Sequence, residues 1–226
     1  MKRLREPIQG RLWSRNFAPL PYLRRMRKVA FEPCIPTRGT QVPAGPEWLH
    51  EIKHDGYRLI VQREGKLVRL FTRNGYDWSD RYPWIVEAAL RNRTSSFVID
   101  GEAVLLGVDG ISDFNGLHSR KHDDEVQLYA FDVLALDGED LRKFPLHLRK
   151  TNLARLLARR PEGIFVSDFE QGAIGPDLFR QACKFGLEGL VSKSRDRPYR
   201  PGRSPDWVKV KNRKHPAIER VKESFA

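Results

Sequence analysis

Residues 51–58, Glu51-Ile52-Lys53-His54-Asp55-Gly56-Tyr57-Arg58, decide how this chain is read. They stand between a proline-rich stretch and the alternating run YRLIVQRE (57–64), so Lys53 is expected on a loop or at a strand end. From average residue usage, K-x-D-G-x-R arises by chance on the order of once in 10⁵ start positions. Four more elements follow in order: Asp100-Gly101-Glu102 closing a strand, Phe131-Asp132 within another, Glu188-Gly189-Leu190-Val191-Ser192-Lys193, and Trp207-Val208-Lys209-Val210-Lys211. Singly, each has an ordinary explanation. A loop lysine is usually a solvated charge, Asp-Gly a turn, Glu102 a strand-end charge, Phe131 a core ring, and W-x-K-x-K an amphipathic edge strand. The order and spacing of all five are what set them apart.

The surrounding pattern is that of an α+β domain with mainly antiparallel sheets. Strand-type runs recur at YRLIVQRE (57–64), KLVRLFTR (66–73), SFVIDGEAVLL (96–106) and VQLYAFDVLAL (126–136), the first two joined by a hairpin turn at Glu64-Gly65-Lys66. Helical spacing predicts a helix over 79–92 with Trp84, Ile85, Ala88 and Ala89 on its apolar face. It predicts another over 148–159 carrying Leu153, Leu156 and Leu157, and a third over 176–185 opening at Pro176. Neither G-x-G-x-x-G nor G-x-x-x-x-G-K-[ST] occurs, which excludes the Rossmann and P-loop nucleotide sites.

Forty-one basic against 29 acidic residues leave +12, which favours a polyanionic partner. The excess is concentrated in residues 1–28, which hold nine basic side chains against the single acid Glu6, with Trp13, Phe17 and Tyr22 interleaved. Cations among rings suit an arm that meets phosphates and bases, with Arg24, Arg25, Arg27 and Lys28 as expected DNA contacts. The expected organisation is a basic arm (1–30), an extended Pro-rich lead-in (31–46) and a folded body (47–226). Only two cysteines, Cys34 and Cys183, exclude a disulfide scaffold; with no secretory signal they point to a reducing interior, the bacterial cytoplasm, near the nucleoid. His118 and His122 are four apart without a third ligand and read as surface residues.

The five elements resemble nucleotidyltransferase motifs I, III, IIIa, IV and V of ATP-dependent DNA ligases, shared more loosely with RNA ligases and mRNA capping enzymes. The match covers roughly residues 45–212. Thr72-Arg73-Asn74-Gly75 with Tyr76-Asp77-Trp78, then Gly110-Ile111-Ser112-Asp113-Phe114, and Tyr199-Arg200-Pro201-Gly202-Arg203-Ser204 are similar to the bacterial end-joining ligases of the ligase D type. The resemblance implies two mainly antiparallel sheets flanked by helices, an ATP-grasp-like core.

It also implies the chemistry: Lys53 attacks the α-phosphorus of ATP and holds AMP as a phosphoramidate. Glu51, Ile52, Arg58, Glu102, Phe131, Lys193, Lys209 and Lys211 would be nucleotide contacts, Phe131 stacking on the base and Glu51 recognising adenine at its amine. Glu102 and Glu188 would hold Mg²⁺ or Mn²⁺. Asp55 would orient Lys53 or a metal-bound water, and Arg73 would face the DNA 5′-phosphate. Lys193, Lys209 and Lys211, together with a bound divalent metal, are expected to depress the Lys53 pKa. The implied partner is nicked or broken double-stranded DNA, met by a monomer, with an end-joining protein as a further partner. An RNA ligase or guanylyltransferase, or an inactive DNA-binding paralogue, are the alternatives. Fifteen residues follow Lys211, so the OB-fold that follows motif V in this family is not expected here.

Overall fold

A computed structural model of the chain describes residues 31–159 and 162–223. In chain order the first elements are β1 (Cys34–Arg38), β2 (Gly45–Ile52), β3 (Tyr57–Glu64), β4 (Leu67–Thr72), α1 (Pro83–Arg91) and β5 (Ser96–Val104). Then come α2 (Phe114–Ser119), β6 (Gln127–Leu136), β7 (Glu139–Asp140), α3 (Leu146–Leu156), β8 (Ile164–Val166) and β9 (Phe169–Gly172). The last are α4 (Gly175–Lys184), β10 (Gly189–Ser194), β11 (Gly202–Lys211) and α5 (Ala217–Glu223).

The strands form two sheets. One has the order β1-β11-β10-β2-β9; the other runs β4-β3-β5-β6-β7, with β8 also paired to β6. Pairing is antiparallel except for β1 with β11 and β6 with β8. The four strands expected from alternation are all present, in the second sheet. All three expected helices are shifted, α4 by a single residue and the other two by more. Pro83 cannot sit inside a helix, so α1 begins there and not at Ser79. The third-turn leucines of α3 are reached from a start at Leu146, right after Pro145. The Pro-rich stretch is extended, and part of it forms the edge strand β1.

Layering follows from which way each strand residue points. In β3, Leu59 and Val61 join a core under α1 and α3, whereas Ile60 faces the first sheet; in β5, Phe97 and Ile99 point one way and Val98 the other. The second sheet is therefore covered on both faces, which explains runs too apolar for a half-exposed strand. A second core of Phe31, Cys34, Ile60, Val98, Leu134, Tyr199 and Trp207 lies between the sheets. A third, with Leu190 and Val210, packs the back of the first sheet against α4. In β11, Val208 and Val210 turn to α4, so Trp207, Lys209 and Lys211 turn the other way, towards the second sheet. The cleft opens there. No helix among the described residues is long and apolar enough to cross a membrane.

Candidate active site

Lys53 directly follows the last residue of β2. Its backbone N–H donates to the Gly189 carbonyl at 2.9 Å, which fixes it beside the start of β10 and hence beside Glu188. Two glycines make this possible. Gly189 has φ +142°, and a Cβ there would run into the Val210 carbonyl oxygen. A Cβ at Gly56 would strike the Ala103 carbonyl oxygen, so only glycine lets the chain enter β3 against β5 next to Glu102. The glycines of the Asp-Gly and Glu-Gly pairs thus hold the three charged residues together.

Register does the rest. Glu51, Val191 and Lys209 lie in one row across β2, β10 and β11, and Leu49, Lys193 and Trp207 in the next. From the second sheet, Arg58 and Glu102 are direct partners in β3 and β5, and Phe131 stands on β6. A cleft of about 170 Å³ between the sheets is lined by Glu51, Ile52, Lys53, Arg58, Arg73, Glu102, Phe131, Lys193 and Lys209, with His54, Ser167 and Trp207. A second cavity, about 230 Å³, lies on the other side of Lys53 and is lined by His54, Asp55, Glu188 and His215 among others. Lys53 borders both.

The charges are paired in a definite way. Lys53 Nζ is 2.5 Å from Glu188, whose other oxygen takes Lys211 at 2.7 Å. Burial alone would depress the Lys53 pKa, but Glu188 and Glu102 reverse this and hold the ammonium above its ordinary range. The depression expected from neighbouring cations does not occur, because those cations have carboxylates of their own: Lys211 is bound to Glu188 and Lys193 to Glu51. Lys209 is repelled, its pKa lowered by burial and then by Lys53 and Lys211. Glu188 is held below the usual carboxylate range: burial would raise it, and Lys53 and Lys211 prevail.

Glu102 is the odd carboxyl. Its recessed position on the cleft wall pushes it up to about 7, against the pull of Lys53 and Arg58 and with the push of Glu188. Two carboxylates, Glu102 and Glu188, therefore flank one amine. Among the described residues no group of three or more His, Cys, Asp or Glu is arranged to hold a metal. A pair of carboxylates still fits Mg²⁺ or Mn²⁺, which keeps several waters and shares substrate phosphate oxygens as ligands.

Other expected site residues are placed as follows. Phe131 lines the cleft with Trp207 edge-on at 6.1 Å, and Lys193 Nζ lies 4.0 Å from its ring centroid. Arg58 lines the cleft, but its fork is committed to the protein: Nε and Nη2 donate to Asp100 at 2.9 and 2.5 Å, and Nη1 to the Cys34 carbonyl at 2.6 Å. Asp100 is fully buried and needs that cation, so what Arg58 offers the cleft is mainly its position over Phe131, 5.2 Å from the centroid. Glu102 does not close its strand, since β5 runs on to Val104. Asp55 is ion-paired with Arg220 from α5. Arg73 is exposed at the cleft mouth. The arm residues Arg24, Arg25, Arg27 and Lys28 lie outside the described residues.

One charged residue was missed. Lys150, on α3, is almost fully buried and ion-paired to Glu51 at 2.7 Å. The available signal was its place on the face of α3 that also carries Leu146 and Leu153.

Residues 37–211 match the family described as the ATP dependent DNA ligase domain. This chain belongs to that family. The ligase domain is 38% identical over 174 residues to the multifunctional non-homologous end joining protein LigD of Pseudomonas aeruginosa, covering 76% of this chain and 21% of that protein. To the LigD end-joining DNA repair protein of Mycobacterium tuberculosis (strain ATCC 25618 / H37Rv) it is 35% identical over 182 residues, 80% of this chain and 24% of the other. Its fold is similar to that of mycobacterial DNA ligase D complexed with ATP and MES, with a TM-score of 0.69 at 35% identity over 79% of this chain and 59% of that one. The chain thus spans about a fifth to a quarter of the length of these curated relatives. The ligase domain has the expected α+β architecture.

Proposed function

We propose that this chain is the adenylate-forming core of an ATP-dependent DNA ligase acting on nicked or broken double-stranded DNA. The observation that carries this reading is the amine of Lys53 standing between two cavities, flanked by Glu188 and Glu102. ATP occupies the cleft, its base beside Phe131 and Glu51 and its phosphates towards Lys53, Lys209 and Arg73. The Lys53 nitrogen displaces pyrophosphate from the α-phosphorus and leaves a Lys53–AMP phosphoramidate. AMP then passes to a DNA 5′-phosphate, and a 3′-hydroxyl displaces it to join the strands.

Each charged residue has a part. Lys209 and Arg73 offset charge on the phosphoryl oxygens in the transition state. Glu102 and Glu188 are the residues that would hold Mg²⁺ or Mn²⁺, which when bound neutralises phosphate charge. Lys53 is held as an ammonium by Glu188 and Glu102, so it must lose its proton before it can attack, and nucleotide binding would have to rearrange its pairing with Glu188. The LigD names of the relatives support an end-joining setting for this chain.

Incubation with Mg²⁺ and α-labelled ATP or GTP, followed by a denaturing gel, tests this reading. Label retained from ATP and lost in Lys53→Ala is the expected result. Label from GTP alone, or none, contradicts it. A nicked duplex added afterwards is expected to remove the label and gain a joined strand.

A further inference from the structure

Behind the wall of the cleft lies a buried charge cluster with one cation more than the wall itself needs. Glu51 Oε1 is 2.7 Å from Lys150 Nζ and its Oε2 is 2.7 Å from Lys193 Nζ, with all three side chains 2–3% exposed. A single lysine balances a single buried carboxylate. A second adds its own desolvation cost, and replacing buried ions with apolar residues is often neutral or stabilising. Lys193 has a visible use, since it lines the cleft and lies over both Phe131 and Trp207. Lys150 does not line the cleft. It touches Glu51 from the far side, its ammonium 4.9 Å from the Phe169 ring centroid.

The helix brings Lys150 there with little freedom. The preceding residue, Arg149, is fully buried and forms a double hydrogen bond with Asp132 at 2.8 and 2.9 Å. Asp132 adjoins Phe131 in the second sheet, and Glu51 belongs to β2 in the first. Two consecutive residues of α3 therefore tie one wall of the cleft to the other, next to the ring and next to the carboxylate.

We infer that Lys150 is the positioning residue for base selection: by gripping the rear oxygen of Glu51 it fixes the carboxylate as an ionised acceptor aimed at an amino group on the base. This rests on the adenylate-forming reading above. A carboxylate held at one oxygen can swing about its last torsion; held at both, it keeps one orientation and still has lone pairs for a donor in the cleft. A purine with an amino group at its six-position satisfies that acceptor. One with a carbonyl there sets oxygen against oxygen and leaves the carboxylate unmatched.

The test is self-labelling of the full chain with ATP and with inosine triphosphate, which carries a carbonyl in place of the six-amino group, comparing wild type with Lys150→Met. Methionine leaves Glu51 and Lys193 as a balanced pair. The variant is expected to melt within a few degrees of wild type and to need about tenfold more ATP for half-maximal labelling. Its preference for ATP over inosine triphosphate should fall by about tenfold, with a much smaller change in rate at saturating ATP. An unchanged preference overturns the inference, as does a loss confined to the saturated rate. A variant that fails to fold also overturns it, by making Lys150 a structural cation. Wild type that takes no label from ATP sinks the adenylation reading itself, whatever Lys150 does.

Discussion

Two lysine–glutamate pairs, each with its lysine lining the cleft, behave oppositely. Lys53 with Glu188 has a raised lysine pKa; Lys193 with Glu51 has a lysine brought down to about 8. The contact distances are similar, 2.5 and 2.7 Å. What differs is the ratio of charges. Lys53 is surrounded by Glu188, Glu102 and Asp55. Lys193 is fully buried and shares Glu51, the carboxylate it contacts, with Lys150, leaving Asp132 as a more distant acid. A lysine is set by the carboxylates available to it, and the nearest distance alone does not predict its state. The first pair is built to be rearranged by a ligand, the second to stay put.

Substitutions separate the two. The largest expected effect is on chemistry: Lys53→Ala should lower self-adenylation by about 10³-fold or more, in a protein that still folds because Lys211 remains on Glu188, as read by label incorporation and a melt. Next, Glu51→Ala strands two buried ammonium groups and should cost about 3–5 kcal/mol in urea denaturation. A Glu51→Ala variant as stable as wild type would break the contrast between the pairs.

The alkaline limb offers a finer test. Lys193 has a folded pKa near 8 against an ordinary 10.5, so between those values the unfolded chain binds more protons and stability rises with pH. Lys53 has the opposite sign: its contribution is complete below 10.5 and is lost as pH climbs through its raised folded value. Wild type should therefore gain stability relative to Lys193→Met from pH 8 to 10, measured by urea denaturation of both. A constant difference would show that Lys193 keeps its proton. Smallest of all, Lys211→Ala should cost under about 1 kcal/mol, since its ammonium is partly solvated and Glu188 keeps Lys53.

Much of this was legible in the sequence, for particular reasons. The strands of the second sheet declare themselves because their alternating residues meet cores on both faces, as Leu59, Ile60 and Val61 do. Lys53 at a strand end followed from the turn residues after it. β10 was harder to see as a strand, because GLVSKS carries Lys193 on the cleft-facing side where a core strand would be apolar. Lys150 was harder to read for a different reason: its place on the face of α3 that carries Leu146 and Leu153 hints at burial, but its partner Glu51 is 99 positions away. The cations alone do not depress the Lys53 pKa, and sequence counts them without showing which of them a carboxylate already holds. Arg58 shows the same gap, its donors being claimed by Asp100 and Cys34.

The central claim is that one amine of this chain forms a covalent bond to AMP. Digestion after incubation with ATP and Mg²⁺, followed by mass spectrometry, locates any adduct directly. AMP on the peptide containing Lys53, at that residue and removed by mild acid as a phosphoramidate should be, is the predicted result. An adduct on another residue, with Lys53 unmodified, would contradict it.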